Sequence, residues 1–349
     1  MKINKFLKAA KIASNVLIPL TAVMVVVKEI TFANASAIND FLHISTQKII
    51  DDGAQEKNIF YDSKYKSVDE LRKSSEQIIE EVMDEGITLL KNENNALPLS
   101  KGNSVSLYGA SSVDLVITGG GSSGSNVKAV KKAISLKDGL AESNLSINED
   151  LWNFYKENPK YYQKGKMGND ASGNQNQVGY YEGYYTIDAS WEEMPESKNN
   201  QADAAIMVLG RTGGENIDLF RNKEEVITGN KNVDEVSKTM SSFDYLGLSD
   251  NEISILKGLK NLKDNGTIGK IIVLMNSANQ IQCDFVDDPT YGIDSLLWMG
   301  TASSVGTRSL GKILVGDINP SGHLSDTFWY DHSKNPVYAN FGNIVYKNS

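Results

Sequence analysis

Cysteine is almost missing from this sequence, and its scarcity removes several kinds of chemistry. The 349 residues include one cysteine, Cys283, and three histidines, His43, His323 and His332. One thiol closes no internal disulfide, and histidines without ligand spacing offer no Cys/His cluster for zinc. Neither a metal nor an organic cofactor is implied. A lone cysteine beside an apolar strand reads as a small core residue. Dense runs of lysine and arginine are missing too, and the formal net charge is −9. An acidic chain of this kind is a poor match for the phosphate backbone of nucleic acid. No internal repeat is present. No glycine-rich stretch ends in Gly-Lys-Ser/Thr or leads as G-x-G-x-x-G into a helix with a suitably placed acid, so nucleotide binding is unsupported.

What is present begins with the N-terminus. Lys2, Lys5, Lys8 and Lys11 precede an apolar run from Ile12 to Val27, broken by Ser14, Asn15, Pro19 and Thr21. A basic region followed by an apolar one is the layout of an export signal. The run falls short of the ~20 residues that a spanning helix prefers, and Ala33-Asn34-Ala35 fits a small-x-small cleavage site. A cleaved signal peptide and a retained membrane anchor both stay open. Either one leaves the rest of the chain outside, secreted or held at the cell membrane. Residues 1–35 are therefore expected to be the signal or anchor and 36–66 a polar connector. Residues 67–330 are expected to form the folded domain, and 331–349 the start of a linker.

Within that domain Ser67 and Glu70 predict a helix N-terminus. Val68, Leu71, Ser75, Ile78 and Val82 follow at helical spacing and define its apolar face, and Gly86 ends it. Short apolar runs predict strands at 87–90, 105–109, 204–209, 271–275 and 295–298. Helical patterns are expected over 127–136 and 305–315, and Ser249 with Glu252 makes a second capping box before Ile253, Leu256, Leu259 and Leu262. Such alternation predicts an α/β fold, a mostly parallel sheet flanked by helices on both faces, preceded by the N-terminal apolar helix. The stretch from Trp152 to Trp191 is rich in aromatics around polar low complexity. Packing and sugar stacking are both open to it.

The most informative segment is Gly210-Arg211-Thr212-Gly213-Gly214-Glu215-Asn216-Ile217-Asp218, directly after the apolar run Ala204–Leu209. A strand that stops at a glycine-rich stretch delivers the next polar side chains to the carboxyl edge of a sheet, where open α/β folds bind ligands. A glutamate there, beside glycines that admit a substrate closely, is suited to general acid or base work. Gly120-x-Ser122-x-Gly124 matches the nucleophile elbow of serine hydrolases, with His323 or His332 as a late base, but no partner acid is identifiable.

Four separated motifs together resemble the C-terminal α/β-sandwich domain of glycoside hydrolase family 3. They are Glu85–Glu93 continuing to Leu97-Pro98-Leu99, the Gly119–Gly124 stretch, Gly210-Arg211 through Glu215 and Asp218, and Gly316-Asp317 through Gly322. They stand in the family's order and cover roughly residues 67 to 330. The resemblance implies a retaining β-glycosidase, most often a β-glucosidase, acting on a β-glucoside or oligosaccharide. It implies that Glu215, in the Arg-x-x-Gly-Glu segment, is the general acid/base. Arg211 and Asp218 would orient that segment through a local salt bridge or contact substrate. A retaining enzyme needs two carboxyl groups roughly 5 Å apart. The family's second one, an aspartate nucleophile, lies in a (β/α)8 barrel domain that no stretch of this sequence matches. Some bacterial members place the sandwich domain first, near the membrane, which suits this leader. The chain is thus expected to supply half of an active site, with a barrel in cis or in trans, and to hydrolyse little alone. A surface-anchored carbohydrate-binding or vestigial domain is the alternative, and a serine hydrolase using Ser122 the third reading.

Overall fold

The computed structural model describes residues 2–35, 63–118, 133–161, 188–211, 246–336 and 338. It divides into two units, Met1–Lys64 and Tyr65–Ser349.

The first unit contains helix α1, Lys2–Ala33, with Pro19 inside it. Its stretch Lys11–Ala33 has 23 residues and a mean hydropathy of 2.0, which makes it long and apolar enough to cross a membrane. At 1.5 Å per residue it extends about 35 Å. The hydroxyls of Thr21 and Thr31 donate to the carbonyls of Leu17 and Val27, 2.8 and 2.7 Å away, so their polarity is absorbed within the helix.

The second unit is built on six strands: β1 (Thr88–Asn92), β2 (Ser104–Tyr108), β3 (Ser146–Ile147), β4 (Ala202–Arg211), β5 (Ile268–Ser277) and β6 (Ser295–Trp298). Their spatial order is β1-β6-β5-β4-β2-β3. All neighbours run parallel except β1, which pairs antiparallel with β6 at one edge. Period-two alternation sends side chains to two cores. Ala205, Met207 and Leu209 of β4 with Ile271, Val273 and Met275 of β5 enter one. Ala204, Ile206 and Val208 with Ile272 and Leu274 enter the other. A sheet covered on both faces needs near-continuous apolar strands, and these are what the sequence contains.

On the first face lie α4 (Glu149–Glu157) and α5 (Asp250–Asp264). On the second lie α2 (Val68–Gly86), α3 (Leu136–Glu142) and α6 (Gly306–Leu314). The Ser249/Glu252 capping box forms in full. At α2 the Ser67 hydroxyl accepts from the Glu70 amide, while the Glu70 carboxylate turns to the Lys66 amide instead.

One expectation changes. The face of α2 carrying Val68, Leu71, Ile78 and Val82 points outward, and Met83 is the buried side chain. Charge turned the helix: Glu80 reaches Arg308 and Lys312 of α6 at 3.2 and 3.0 Å, so the side bearing Glu80, Ile79 and Met83 faces the domain. The helix expected over 127–136 falls mainly outside the described residues, and α3 starts at Leu136 under a Ser135 cap. Cys283 is buried as expected of a core residue. Burial and then the Asp284 charge push its thiol up to about 12.

Candidate active site

The parallel strands end on one side, and β4 and β5 overrun their neighbours β2 and β6. Tyr108, the last residue of β2, pairs with Met207, and Trp298 of β6 pairs with Met275. Arg211 and Ser277 pair with each other beyond both. Gly210, Arg211, Asn276 and Ser277 therefore project at the carboxyl edge, where the sequence placed its candidate.

Arg211 is 7% exposed and its guanidinium is fully engaged. Nη1 donates to Oε1 of Glu252 at 2.8 Å and Nη2 to Oε2 at 2.7 Å, a bidentate pair. Nη2 also donates to the Gly247 carbonyl at 2.7 Å, and Nη1 to the Gly210 carbonyl at 2.9 Å. Glu252 in turn accepts from the Ser249 amide at 2.8 Å, because it is the acid of the α5 capping box. Its position in the first turn of α5 suits a carboxylate electrostatically. One side chain thus caps a helix and fixes the end of a strand. The pair ties residue 211 to residues 247–252 and so holds together the two ends of segment 212–245. Closing a chain of that length costs on the order of 3 kcal/mol in entropy, and the buried pair helps to offset it.

Close backbone approach shapes the rest of the edge. Gly109, at φ 89°, ends β2, and a Cβ there would lie 2.7 Å from the Val208 carbonyl. A Cβ on Gly210 would collide with Ser111 Oγ. After Gly109 the Ala110 amide donates to Oδ1 of Asp188 at 3.0 Å, as does Asp188's neighbour Ala189. The Gly109 amide donates to the Tyr155 hydroxyl at 3.2 Å, which donates to Met194 Sδ. Burial, then the nearby Glu252 carboxylate, push Asp188 up to about 8; the two amides and Arg211 pull the other way. Burial and the charge of Asp188 raise the Tyr155 phenol well above its ordinary range. Asn251, beside Glu252, donates to the Asp188 carbonyl at 2.6 Å. The first turn of α5 therefore grips both the end of β4 and the point where the chain returns after 162–187.

Asn276, fully buried, accepts from the Val116 amide at 2.6 Å and donates to the Val116 and Gly300 carbonyls at 3.1 and 2.8 Å. It pins the connector that leads toward Gly119. The first and last family-like motifs also meet: Ser321 donates to Glu85 at 3.0 Å, and a Cβ on Gly322 would lie 2.6 Å from the Gly86 carbonyl.

Of the residues singled out in the sequence, Arg211 stands at the carboxyl edge of the sheet, in a buried ion pair. Among the described residues its ion-pair partner is Glu252. Glu215, Asp218, Ser122 and the Gly119–Gly124 stretch lie outside the described residues. His323 is exposed, its Nδ1 2.9 Å from the carbonyl of Ser321 in its own turn. Trp152, Tyr155 and Tyr161 are core residues, and Trp191 stacks on Tyr108 with centroids 6.2 Å apart, so these aromatics pack rather than face a sugar. Among the described residues no group of three or more His, Cys, Asp and Glu side chains is arranged to hold a metal ion. Glu252, Asp188 and Asn276 were not singled out as site residues. The capping box marked Glu252, but nothing local marks its second use.

The family model of the glycosyl hydrolase family 3 C-terminal domain matches residues 87–348. The β-glucosidase of Ruminococcus albus is 29% identical over 275 residues, covering 75% of this chain and 24% of that protein. β-Glucosidase A of Butyrivibrio fibrisolvens is 29% identical over 248 residues, covering 70% of this chain and 27% of its own length. The chain thus spans about a quarter of these curated relatives. Among solved structures, a β-glucosidase from Paenibacillus barengoltzii superposes with a TM-score of 0.59 at 25% identity, over 76% of this chain and 25% of that one. β-Glucosidase 3B of Thermotoga neapolitana, in complex with glucose, gives 0.57 at 25% identity, over 78% and 33%. From its motifs, its mostly parallel sheet and these matches, the chain belongs to glycosyl hydrolase family 3 and carries that family's C-terminal domain.

Proposed function

We propose that this chain is the sandwich-domain part of a retaining β-glycosidase, a β-glucosidase by substrate class, and that Glu215 is its general acid/base. The observation that carries the reading is the buried Arg211–Glu252 clamp at the carboxyl edge, four residues before Glu215. In the first step Glu215 protonates the departing glycosidic oxygen while a carboxylate nucleophile attacks the anomeric carbon. In the second it takes a proton from the water that cleaves the glycosyl-enzyme. The nucleophile comes from a barrel domain, in the same polypeptide or in a partner, so this chain alone turns over little. Arg211 acts by holding the strand end, and Asp218 by orienting the same segment. Helix α1 holds the protein in the cell membrane with the catalytic part outside, or is removed on export.

Glu215→Gln in the assembled enzyme tests the reading. Removing a general acid costs about 10²–10⁴-fold. The expected loss is of that size on alkyl β-glucosides, and much smaller on aryl glucosides whose leaving groups need no proton. An unchanged rate on the alkyl substrates would remove Glu215 from the mechanism.

A further inference from the structure

We infer that the outward face of α2 is a docking surface for a second copy of this chain, with the two helices antiparallel. Among the described residues of the second unit, the exposed large apolar side chains are Tyr330 and four from this one helix: Val68, Leu71, Ile78 and Val82. With Ser75 between them, their spacing runs three, four, three, four. A repeat of about 3.5 residues is the narrow seam by which two helices pack on each other, whereas a helix lying on its own domain presents a broader stripe. Ser75 adds little polarity to the seam, because its hydroxyl donates to the Leu71 carbonyl at 2.9 Å. The seam is also held outward. Glu80 pairs with Arg308 and Lys312 on the other side of the helix, and Met83 is buried there.

Charge selects the occupant and its direction. The second half of α2 carries Glu76, Glu80, Glu81, Asp84 and Glu85 and no cation, while its cations, Arg72 and Lys73, stand in the first half. Helices that lie on a membrane surface carry Lys and Arg beside the apolar face, so a lipid surface fits this helix poorly. A parallel copy would set acid on acid along the whole second half. An antiparallel copy sets the cationic half of each helix beside the acidic half of the other, and it opposes the two helix dipoles. One register stacks Leu71 on Val82 of the second copy and Ser75 on its Ile78. It brings Arg72 level with Glu81 of the second copy, and both of these side chains are exposed. A stable interface buries at least about 1,200 Å² in total. Four side chains from each copy fall short of that, so the dimer is a weak one, with a Kd on the order of 0.1 mM.

The test uses the full chain in detergent, followed by sedimentation equilibrium. The wild type should pass from monomer to dimer between about 0.01 and 1 mM. Leu71→Glu combined with Ile78→Glu should weaken association at least about tenfold, with urea denaturation unchanged because both side chains are exposed. Arg72→Glu and Glu81→Arg should each weaken it about three- to tenfold, and the two reversals placed in one chain should restore it. Glu81→Arg is the sharper of the single variants. It lowers the negative charge of the chain, so general repulsion alone would make association stronger. A chain that stays monomeric throughout overturns the inference. So does a dimer indifferent to the Leu71→Glu/Ile78→Glu pair, which would place the contact elsewhere, for example on α1. Single reversals without effect would mean that the copies are not antiparallel, and overturn it too. If the wild type is monomeric and the Leu71→Glu/Ile78→Glu pair instead lowers turnover of the assembled enzyme, the face seats a barrel domain, and the inference falls.

Discussion

The two ends of the sheet each bury a salt bridge, and the two are built for different purposes. At the amino edge, Asp294 is fully buried and accepts from Lys263 and Asn94 at 2.7 Å and from the Ile271 amide at 2.9 Å. Burial works against the charge, but Lys263, the Ile271 amide and Asn94 together hold its carboxyl below the ordinary carboxylate range. The connections there are short, as from α5 through Asn265 and Gly266 into β5. A polar groove of about 610 Å³ opens beside them, with Asn95, Gln201 and Asp203 among its lining residues. At the carboxyl edge the Arg211–Glu252 pair joins residues separated by a long excursion, beside an aspartate that burial has made hard to ionise. The amino edge meets its buried carboxylate with a partly exposed lysine, an asparagine and a backbone amide. The carboxyl edge holds charge under constraint at the root of long segments. An acid pushed far from its ordinary range at a strand end marks a candidate functional site.

The comparison can be broken at either pair. Glu252→Ala should have the largest effect on stability, about 4 kcal/mol, because it leaves Arg211 buried without its counter-ion. Urea denaturation measures it, and a loss below about 1 kcal/mol would mean that water reaches Arg211 freely. Asp294→Asn should cost less, about 2 kcal/mol, because Lys263 is 24% exposed and can turn to solvent. A loss as large as that of Glu252→Ala would erase the distinction between the edges.

Asp188→Asn sharpens the comparison through pH and has the smallest effect in acid. An acid whose folded value is raised binds more protons folded than unfolded between its ordinary 3.8 and about 8. The wild type therefore loses stability as pH rises through that window, and asparagine does not. Melting temperatures of the two proteins should nearly coincide at pH 4, and the variant should melt higher by pH 9. A constant gap across the range would show that Asp188 ionises normally.

Much of the fold was legible in the sequence because its central strands are buried on both faces. Such strands read as continuous apolar runs, and Ile271–Met275 and Ala204–Leu209 needed no tertiary information. The Ser249/Glu252 box was legible because its partners are three residues apart. What was not legible depends on distance. The orientation of α2 follows from Glu80 meeting Arg308 and Lys312 more than 220 residues later, which local spacing cannot reveal. Helix α4 was hidden in an aromatic stretch, although Asn148 caps it through the Leu151 amide. At the site, Arg211 stood out through its motif, but its partner did not. Glu252 had a sufficient local role, and Asp188 is an ordinary aspartate until the fold buries it.

The central claim, that Glu215 is the proton donor of a retaining mechanism, is tested most directly by azide rescue of Glu215→Ala in the assembled enzyme. Without its general base the glycosyl-enzyme is slow to react with water, and azide, which needs no deprotonation, can attack it instead. With an aryl glucoside that forms the intermediate readily, azide should raise turnover at least tenfold and give the β-glucosyl azide, identified by proton NMR. No rescue, or an α-glucosyl azide, would contradict the assignment.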